Sequence, residues 1–371
     1  MGRAAPPWLR PGFRVRVDPT LAHVEPGEIL VGLGDERRHG RCVVLNHKPG
    51  RHGVFQSVTE YVCSRAAPVE AWRGLLAPDD GLKVVVEDAS LDTCYGLLAL
   101  MERLEPGCTG VPLAGPWVAY VTAWEQGALP DAGAFESSVG VLLGQLSVGR
   151  ALPEALVAGL EVLRALSARS ENPFQADLSA GGPLVAEARA RVRAEVERFE
   201  ALRQRAEVWT LALPRADGLG TVTVQGLVGT YTERLGLTAR LARARGFGLT
   251  ALHCAAFAGL GNDMVVAAEP SLGVTLRALW EALERLEDAR WGGARPRSHP
   301  RRIRSYEGRT DGPDEPWWDD LGRYSLVAAP KSVVVDGEQL PGSRVAWEDV
   351  RGLLARLYRR GRDGARRLPQ Q

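Results

Sequence analysis

The chain has 371 residues, 45% hydrophobic and 25% charged, which is enough apolar sequence for two domains or one large α/β domain with additions. Its formal net charge of +1 excludes a global field directed at nucleic acid or acidic membranes, so any such binding would come from a local patch. The opening MGRAAPPWLRPGF lacks the apolar stretch of a secretory signal, no run approaches the roughly 20 apolar residues of a membrane span, and five cysteines without CxxC spacing speak against a disulfide framework or a zinc knuckle. A cytoplasmic protein with no membrane association is therefore expected. Its positive charge is almost entirely arginine; the only lysines are Lys48, Lys83 and Lys331.

The first half alternates strand and helix signals. Residues 28–33 (EILVGL) and 41–45 (RCVVL) read as short strands joined by a turn. Residues 57–63 fit one short helix. The run LKVVV at 82–86 is nearly all apolar, as in a parallel strand buried on both faces. Directly after it, Leu91, Cys94, Leu97, Leu98, Met101 and Leu104 recur at three–four spacing and predict a helix over 91–104. Ser90 stands at its cap, Asp92 in its first turn, and Pro106-Gly107 ends it. A strand followed at once by a capped helix is half of a βαβ unit. Residues 117–166 read as mainly helical, broken at Pro130 and Pro153. Residues 167–183 read as a linker and 184–207 as a long charged helix striped by Val185, Ala188, Val192, Val196, Phe199 and Leu202.

In the second half, residues 208–213, 221–228 and 264–268 predict strands, and 274–286 an amphipathic helix with Leu276, Leu279, Trp280, Leu283 and Leu286 inward. Residues 289–316, rich in Arg, Gly and Pro, predict a long loop; 324–329 and 332–335 a strand pair; and 350–358 a last helix before a basic tail. The expected architecture is α/β: a mostly parallel sheet with flanking helices over 1–166, a linker and connecting helix over 167–207, and a smaller α+β domain over 208–371.

Two segments of the first domain carry candidate chemistry at strand ends, where open α/β sheets bind their ligands. VVVEDASLD places Glu87, Asp88 and Asp92 at a strand-to-helix passage. Clustered carboxylates repel unless a cation intervenes, and oxygen ligands suit Mg²⁺ or Mn²⁺. The plain alternative is that these acids cap a helix and complement its dipole. VVLNHKPGRHG places Asn46, His47 and Lys48 after another apolar run, with His52 close by. His47 would bind metal or act as acid or base, and Lys48 would hold a phosphate oxygen. Gln56, Ser57 and Glu60 are candidate polar groups for the same rim. A strand ending in NHK and a strand ending in EDASLD that runs into a helix resemble the DHH phosphoesterases. Of the family's triplet only His47 keeps its letter, and the acidic motif here follows the triplet rather than preceding it. The resemblance implies hydrolysis of phosphodiester or phosphoanhydride bonds, with Mn²⁺ or Mg²⁺ on His47, Asp88 and Asp92. The segment FGLTALHCAAFAGLGNDMVVAA is similar to the Gly-rich segment of that family's accessory domain, and Gly259, Gly261 and Asn262 would then contact substrate.

Further on, residues 295–309 gather six arginines around His299 and Tyr306, and Arg301 and Arg302 are candidate phosphate or base contacts. In an arginine-rich protein such a run also reads as a solvated loop. Trp317 and Trp318 lie in a Pro-led, Asp-rich loop, where they would cover a core edge, line a pocket with Arg323, Tyr324 and Lys331, or offer a protein-partner surface. No GxGxxG in strand–helix context, P-loop, GxSxG, HExxH or CxxC occurs. The expectation is a divergent metal-dependent phosphoesterase acting on a phosphorylated small molecule or nucleic acid. The alternative is a non-catalytic binding module on the same scaffold, recognising a nucleotide, a nucleic-acid end or a protein.

Overall fold

The computed structural model describes residues 13–18, 21, 23–32, 41–45, 56–65, 67–68, 71–72, 82–128, 134–231, 237–255, 263–292, 317–319, 325–330, 333–335, 338–340 and 342–360; at 318–319, 333–335 and 338–340 only the backbone is described. The chain divides into two units, residues 1–195 and 196–371. The division falls inside a long helix. Among the described residues no helix is long and apolar enough to cross a membrane.

The first unit is built on four parallel strands: β1 (Phe13–Val17), β2 (Ile29–Val31), β3 (Val43–Leu45) and β4 (Leu82–Val86), in the order β1-β4-β2-β3. Residues 28–33 and 41–45 therefore supply parallel neighbours rather than a hairpin. The registers Val17↔Val86, Val31↔Val86 and Val31↔Leu45 align the four last residues in one row. Side chains alternate between faces along each strand. Leu30, Val44 and Val85 share a face with Arg16, and there Leu21 from the connector 18–28 joins them in a small separate cluster, with Val24 packed beside it.

Helices α1 (Val58–Cys63), α2 (Leu91–Leu104), α3 (Pro116–Glu125), α4 (Val139–Leu146) and α5 (Leu152–Ser167) belong to the same unit. The spacing in 91–104 predicted one apolar face on α2, yet every residue except Glu102 and Arg103 is buried. That is the pattern of a helix enclosed by others. Gly96 lets α1 lie close to α2, since a Cβ there would sit 3.1 Å from Val58 Cγ1 of α1, and Gly159 of α5 does the same against Cys94, at 2.8 Å. The first half of α6 (Gly182–Arg205) is tied to the rest of this unit by Arg150, which pairs with Glu187, and by Arg191, which donates to the carbonyls of Gln145 and Val148.

The second unit has a six-stranded mixed sheet of β5 (Glu207–Pro214), β6 (Thr221–Tyr231), β7 (Leu249–Cys254), β8 (Met264–Ala268), β9 (Trp318–Asp319) and β10 (Leu326–Ala328), in the order β5-β6-β7-β8-β10-β9. Among its described strands β6 and β7 pair in parallel and the other neighbours antiparallel. The short α7 (Thr238–Ala244) packs on β7. Helices α8 (Arg277–Trp291) and α9 (Trp347–Tyr358) share the sheet's main core, where Leu211, Ala251, Val266, Leu279, Val350 and Leu354 are fully buried. At about 1.5–3 kcal/mol per large side chain removed from water, such residues dominate the stabilising term. The edge strand β5 is covered by an antiparallel bridge between Leu211 and Arg359 and by a bond from Arg360 N–H to Thr210 O at 3.0 Å. Covered edges do not recruit other strands. The expected strand pair over 324–335 is instead β10, bonded to β8 and β9, and β11 (Val333–Val335), bonded to β12 (Glu338–Leu340).

Candidate functional site

All four strands of the first unit finish level, so their exits form one mouth. The ladder runs one residue further: Asp18 N–H bonds Val86 O at 3.0 Å, Glu87 N–H bonds Val31 O at 3.4 Å, and Gly32 N–H bonds Leu45 O at 2.9 Å. This last row sets Asp18, Glu87 and Gly32 side by side. Gly32 has φ +82, which side-chain-bearing residues rarely adopt. A Cβ there would lie 3.6 Å from both Glu87 Oε2 and Thr93 Oγ1, so a carboxylate and a hydroxyl rest over bare backbone.

Asp88 stands next to this row. Its Oδ1 accepts from Ser90 N–H at 2.9 Å and from the Thr93 hydroxyl at 2.7 Å, while Ser90 Oγ accepts from Thr93 N–H at 3.2 Å and caps α2 as the sequence suggested. Asp18 is held from the other side, where Oδ2 accepts from Arg16 at 2.9 Å and from His23 N–H at 3.4 Å. Arg16 also spans to Glu28 with contacts of 3.1–3.2 Å and bonds the carbonyl of His23. Burial pulls the Arg16 pKa down, but the bonds to Glu28 and Asp18 outweigh it and the net shift is upward. The mouth thus gathers the oxygen-bearing side chains Asp18, Glu87, Asp88, Ser90 and Thr93, of which Asp18 is already paired with Arg16, Ser90 caps α2 and Thr93 donates to Asp88.

Asp92 does not belong to this mouth, contrary to its expected part in a His47–Asp88–Asp92 metal and catalytic group. Its side chain is buried at 3% exposure, and both oxygens are spent on α1: Oδ2 accepts from Val58 N–H at 2.8 Å and Oδ1 from Thr59 N–H at 2.9 Å. The first amides of a helix have no partner within it. Ser57 Oγ takes the Glu60 amide at 2.9 Å, and Asp92 supplies the rest from a neighbouring helix. Asp92 therefore caps α1, whereas the sequence predicts it to stabilise the start of its own helix, α2, which Ser90 caps. Ser57 also bonds Thr122 at 2.8 Å and Glu60 accepts from Gln56 N–H at 2.6 Å, so these rim candidates are engaged in local structure. Among the described residues no group of three or more His, Cys, Asp or Glu side chains is arranged to hold a metal ion.

His47, Lys48, Gly259, Gly261, Asn262, Arg301, Arg302, Arg323, Lys331 and the Trp318 side chain lie outside the described residues. Trp317 is described, and it is core rather than a partner surface. It is 1% exposed, its amide donates to Glu284 at 2.6 Å, its carbonyl accepts from Trp280 Nε1 at 2.7 Å, and its indole N–H donates to Glu287 at 3.0 Å. Glu287 is fully buried and accepts three more bonds, from Trp291 Nε1 at 2.9 Å, Ser343 Oγ at 2.6 Å and Arg344 N–H at 2.6 Å. Burial pushes the Cys63 thiol up to about 12, Cys94 higher still and Cys42 upward, which disfavours the thiolate at these three positions.

A second feature went unread in the sequence. An open cavity of about 440 Å³ is lined by Arg14, Val15, Arg16, His23, Glu25, Glu28, Lys83 and Val84. Its signal was the alternation in FRVRV, charged residues at every second position of β1, together with Lys83 in β4. In a chain that uses arginine almost everywhere, that alternation does not stand out.

No family model matches the chain, and no curated protein or solved structure is significantly similar to it.

Proposed function

We propose that the first unit is a binding module for a nucleotide or related phosphorylated small molecule, taken together with Mg²⁺ or Mn²⁺ at the carboxyl mouth of the parallel sheet. The observation that carries this reading is the level last row, Asp18–Glu87–Gly32, with Asp88 beside it. Ligands of open α/β sheets bind beyond such strand ends. Glu87 and Asp88 would hold the cation. In the sequence Asn46, His47 and Lys48 follow directly on β3, and Lys48 would take a phosphate oxygen. A cytoplasmic setting belongs to the same reading and is supported by five free thiols.

Binding without turnover is favoured because Asp92, the acid that the DHH resemblance would use, has both oxygens on helix amides. A phosphoesterase remains the second reading, supported by Glu87, which leans over Gly32 and would replace Asp92 as a cation ligand. A bound cation would activate water and neutralise phosphate charge.

Calorimetry of a magnesium–nucleotide complex with the full chain, repeated in EDTA, and release of nitrophenol from bis(p-nitrophenyl) phosphate with Mn²⁺ separate the two. A binding module gives cation-dependent binding, weakened about tenfold or more by Glu87→Gln, and no nitrophenol. Turnover abolished by both Glu87→Gln and His47→Ala establishes the hydrolase instead. Neither binding nor turnover rejects both.

A further inference from the structure

Parallel sheets are normally apolar on both faces, yet the first unit sets a cation, Arg16, on the face that holds Leu30, Val44 and Val85. The connector 18–28, described at 18, 21 and 23–28, satisfies it. Arg16 donates to Asp18 at 2.9 Å, to both oxygens of Glu28 at 3.1–3.2 Å and to the carbonyl of His23. One guanidinium thus ties the start, the middle and the end of the connector to β1. Apolar packing adds less. Leu21 is the one buried apolar side chain among the described residues of the connector, and Val24 is half-buried. Leu21 also has φ +48, a left-handed backbone that leucine adopts only under constraint. A segment fastened by one cation and one strained plug opens more easily than the sheet beneath it. Its first residue reaches the carboxyl mouth. Asp18 N–H bonds Val86 O at 3.0 Å, and the strand alternation carried past Val17 and Val86 puts Asp18 beside Glu87 on the face of Arg16. Asp18 is therefore claimed twice. It stands in the last row of the mouth, while its Oδ2 is held by Arg16 and by the His23 amide at 3.4 Å.

We propose that Arg16 and the connector 18–28 form an autoinhibitory latch on the carboxyl mouth: closed, Arg16 keeps Asp18 for the connector, and a divalent cation arriving with its nucleotide takes Asp18 over and lets the connector open. The inference rests on the reading of the mouth as a cation–nucleotide site and adds its regulation. A divalent cation beside Glu87 and Asp88 attracts the Asp18 carboxylate and repels the Arg16 guanidinium, so both forces pull the latch apart. Two uses of one carboxylate exclude each other. The coupling is therefore negative, and it is reciprocal: whatever opens the latch tightens the mouth.

The test combines calorimetry and hydrogen–deuterium exchange on the full chain, with magnesium–ADP as the probe. Arg16→Gln is expected to bind it about fivefold or more tightly than wild type, a gain that mere damage to the fold does not produce. Glu28→Gln loosens the connector but leaves Arg16 on Asp18, and is expected to bind no tighter. In the wild type the amides of Leu21, His23, Glu25, Gly27 and Glu28, all hydrogen-bonded in the closed connector, are expected to exchange about tenfold faster once magnesium–ADP is bound, while those of α2 do not. Ligands ordinarily slow exchange, so this acceleration is the signature of the latch, and it needs no variant to fold. Wild-type binding with no tightening in a folded Arg16→Gln protein, equal tightening in Glu28→Gln, or exchange at 18–28 that slows or stays constant overturns the latch and leaves the mouth reading intact. Absence of magnesium–ADP binding in both wild type and Arg16→Gln overturns the two together, whereas binding seen only in Arg16→Gln supports both.

Discussion

Asp92 in the first unit and Glu287 in the second are both buried carboxylates on helices, and both act as fasteners rather than reagents. They differ in what they fasten. Asp92 completes the first turn of α1, two backbone amides on a six-residue helix that could not stand alone. Glu287 gathers two indole N–H groups, a hydroxyl and an amide from three separate stretches of chain. One secures a single element; the other closes the core around α8, Trp317 and the 343–344 segment. A buried acid is tolerated only where donors satisfy it, and four donors satisfy one without any direct cation. An acid in a sequence therefore says little about catalysis until its donors are known.

The comparison can be broken most forcefully at Glu287. Its replacement by Ala leaves four donors without an acceptor and a void beside Trp317, so a loss of about 4–5 kcal/mol is expected in urea denaturation. Trp317→Phe removes one of those donors and keeps most of the packing, and a loss of about 1–2 kcal/mol is expected. If Glu287→Ala costs no more than Trp317→Phe, the carboxylate is not the fastener. Asp92→Ala comes between the two, at about 2–3 kcal/mol, because two buried amides lose their acceptor. The same variant is expected to leave cation-dependent nucleotide binding unchanged when measured well below its unfolding temperature. Lost binding in a folded Asp92→Ala protein would return this residue to the ligand site.

What could be read in advance follows from distance along the chain. Helix α2 was legible between its Ser90 cap and the Pro106-Gly107 stop because three–four spacing and caps are local signals. Strands β4 and β8 were legible as apolar runs between polar boundaries. The fate of Asp92 was not, since its partners lie 33 and 34 residues away on a helix whose approach depends on Gly96. Trp317 was legible only as one of several alternatives, the cover of a core edge: its loop composition is that of a surface, but Glu284 and Glu287, 33 and 30 residues earlier, draw it inward. Strand β1 was missed because its core-facing alternation is written in arginine, and the cavity on it was missed with it.

Glu102 extends the comparison to a fastener that is only partly buried, at the end of α2. Its carboxylate accepts from Gly107 N–H at 2.6 Å, Gly110 N–H at 2.8 Å, and the amide and hydroxyl of Thr109, both at 2.9 Å. Partial burial pushes its pKa up, but these donors outweigh burial and hold it below its ordinary value of 4.5. A carboxyl whose folded pKa is depressed binds its proton more readily in the unfolded chain. Its contribution is therefore complete above pH 4.5 and is lost as the pH falls through the depressed folded value. Glu102→Gln is expected to cost about 1 kcal/mol at neutral pH, the smallest of these effects, because the neutral amide still accepts but without charge. The difference between wild type and Glu102→Gln should shrink as the pH is lowered below 4.5. A difference that persists unchanged into acid would mean that the loop at 107–110 is held by its backbone geometry alone, and that only fully enclosed carboxylates fasten this protein.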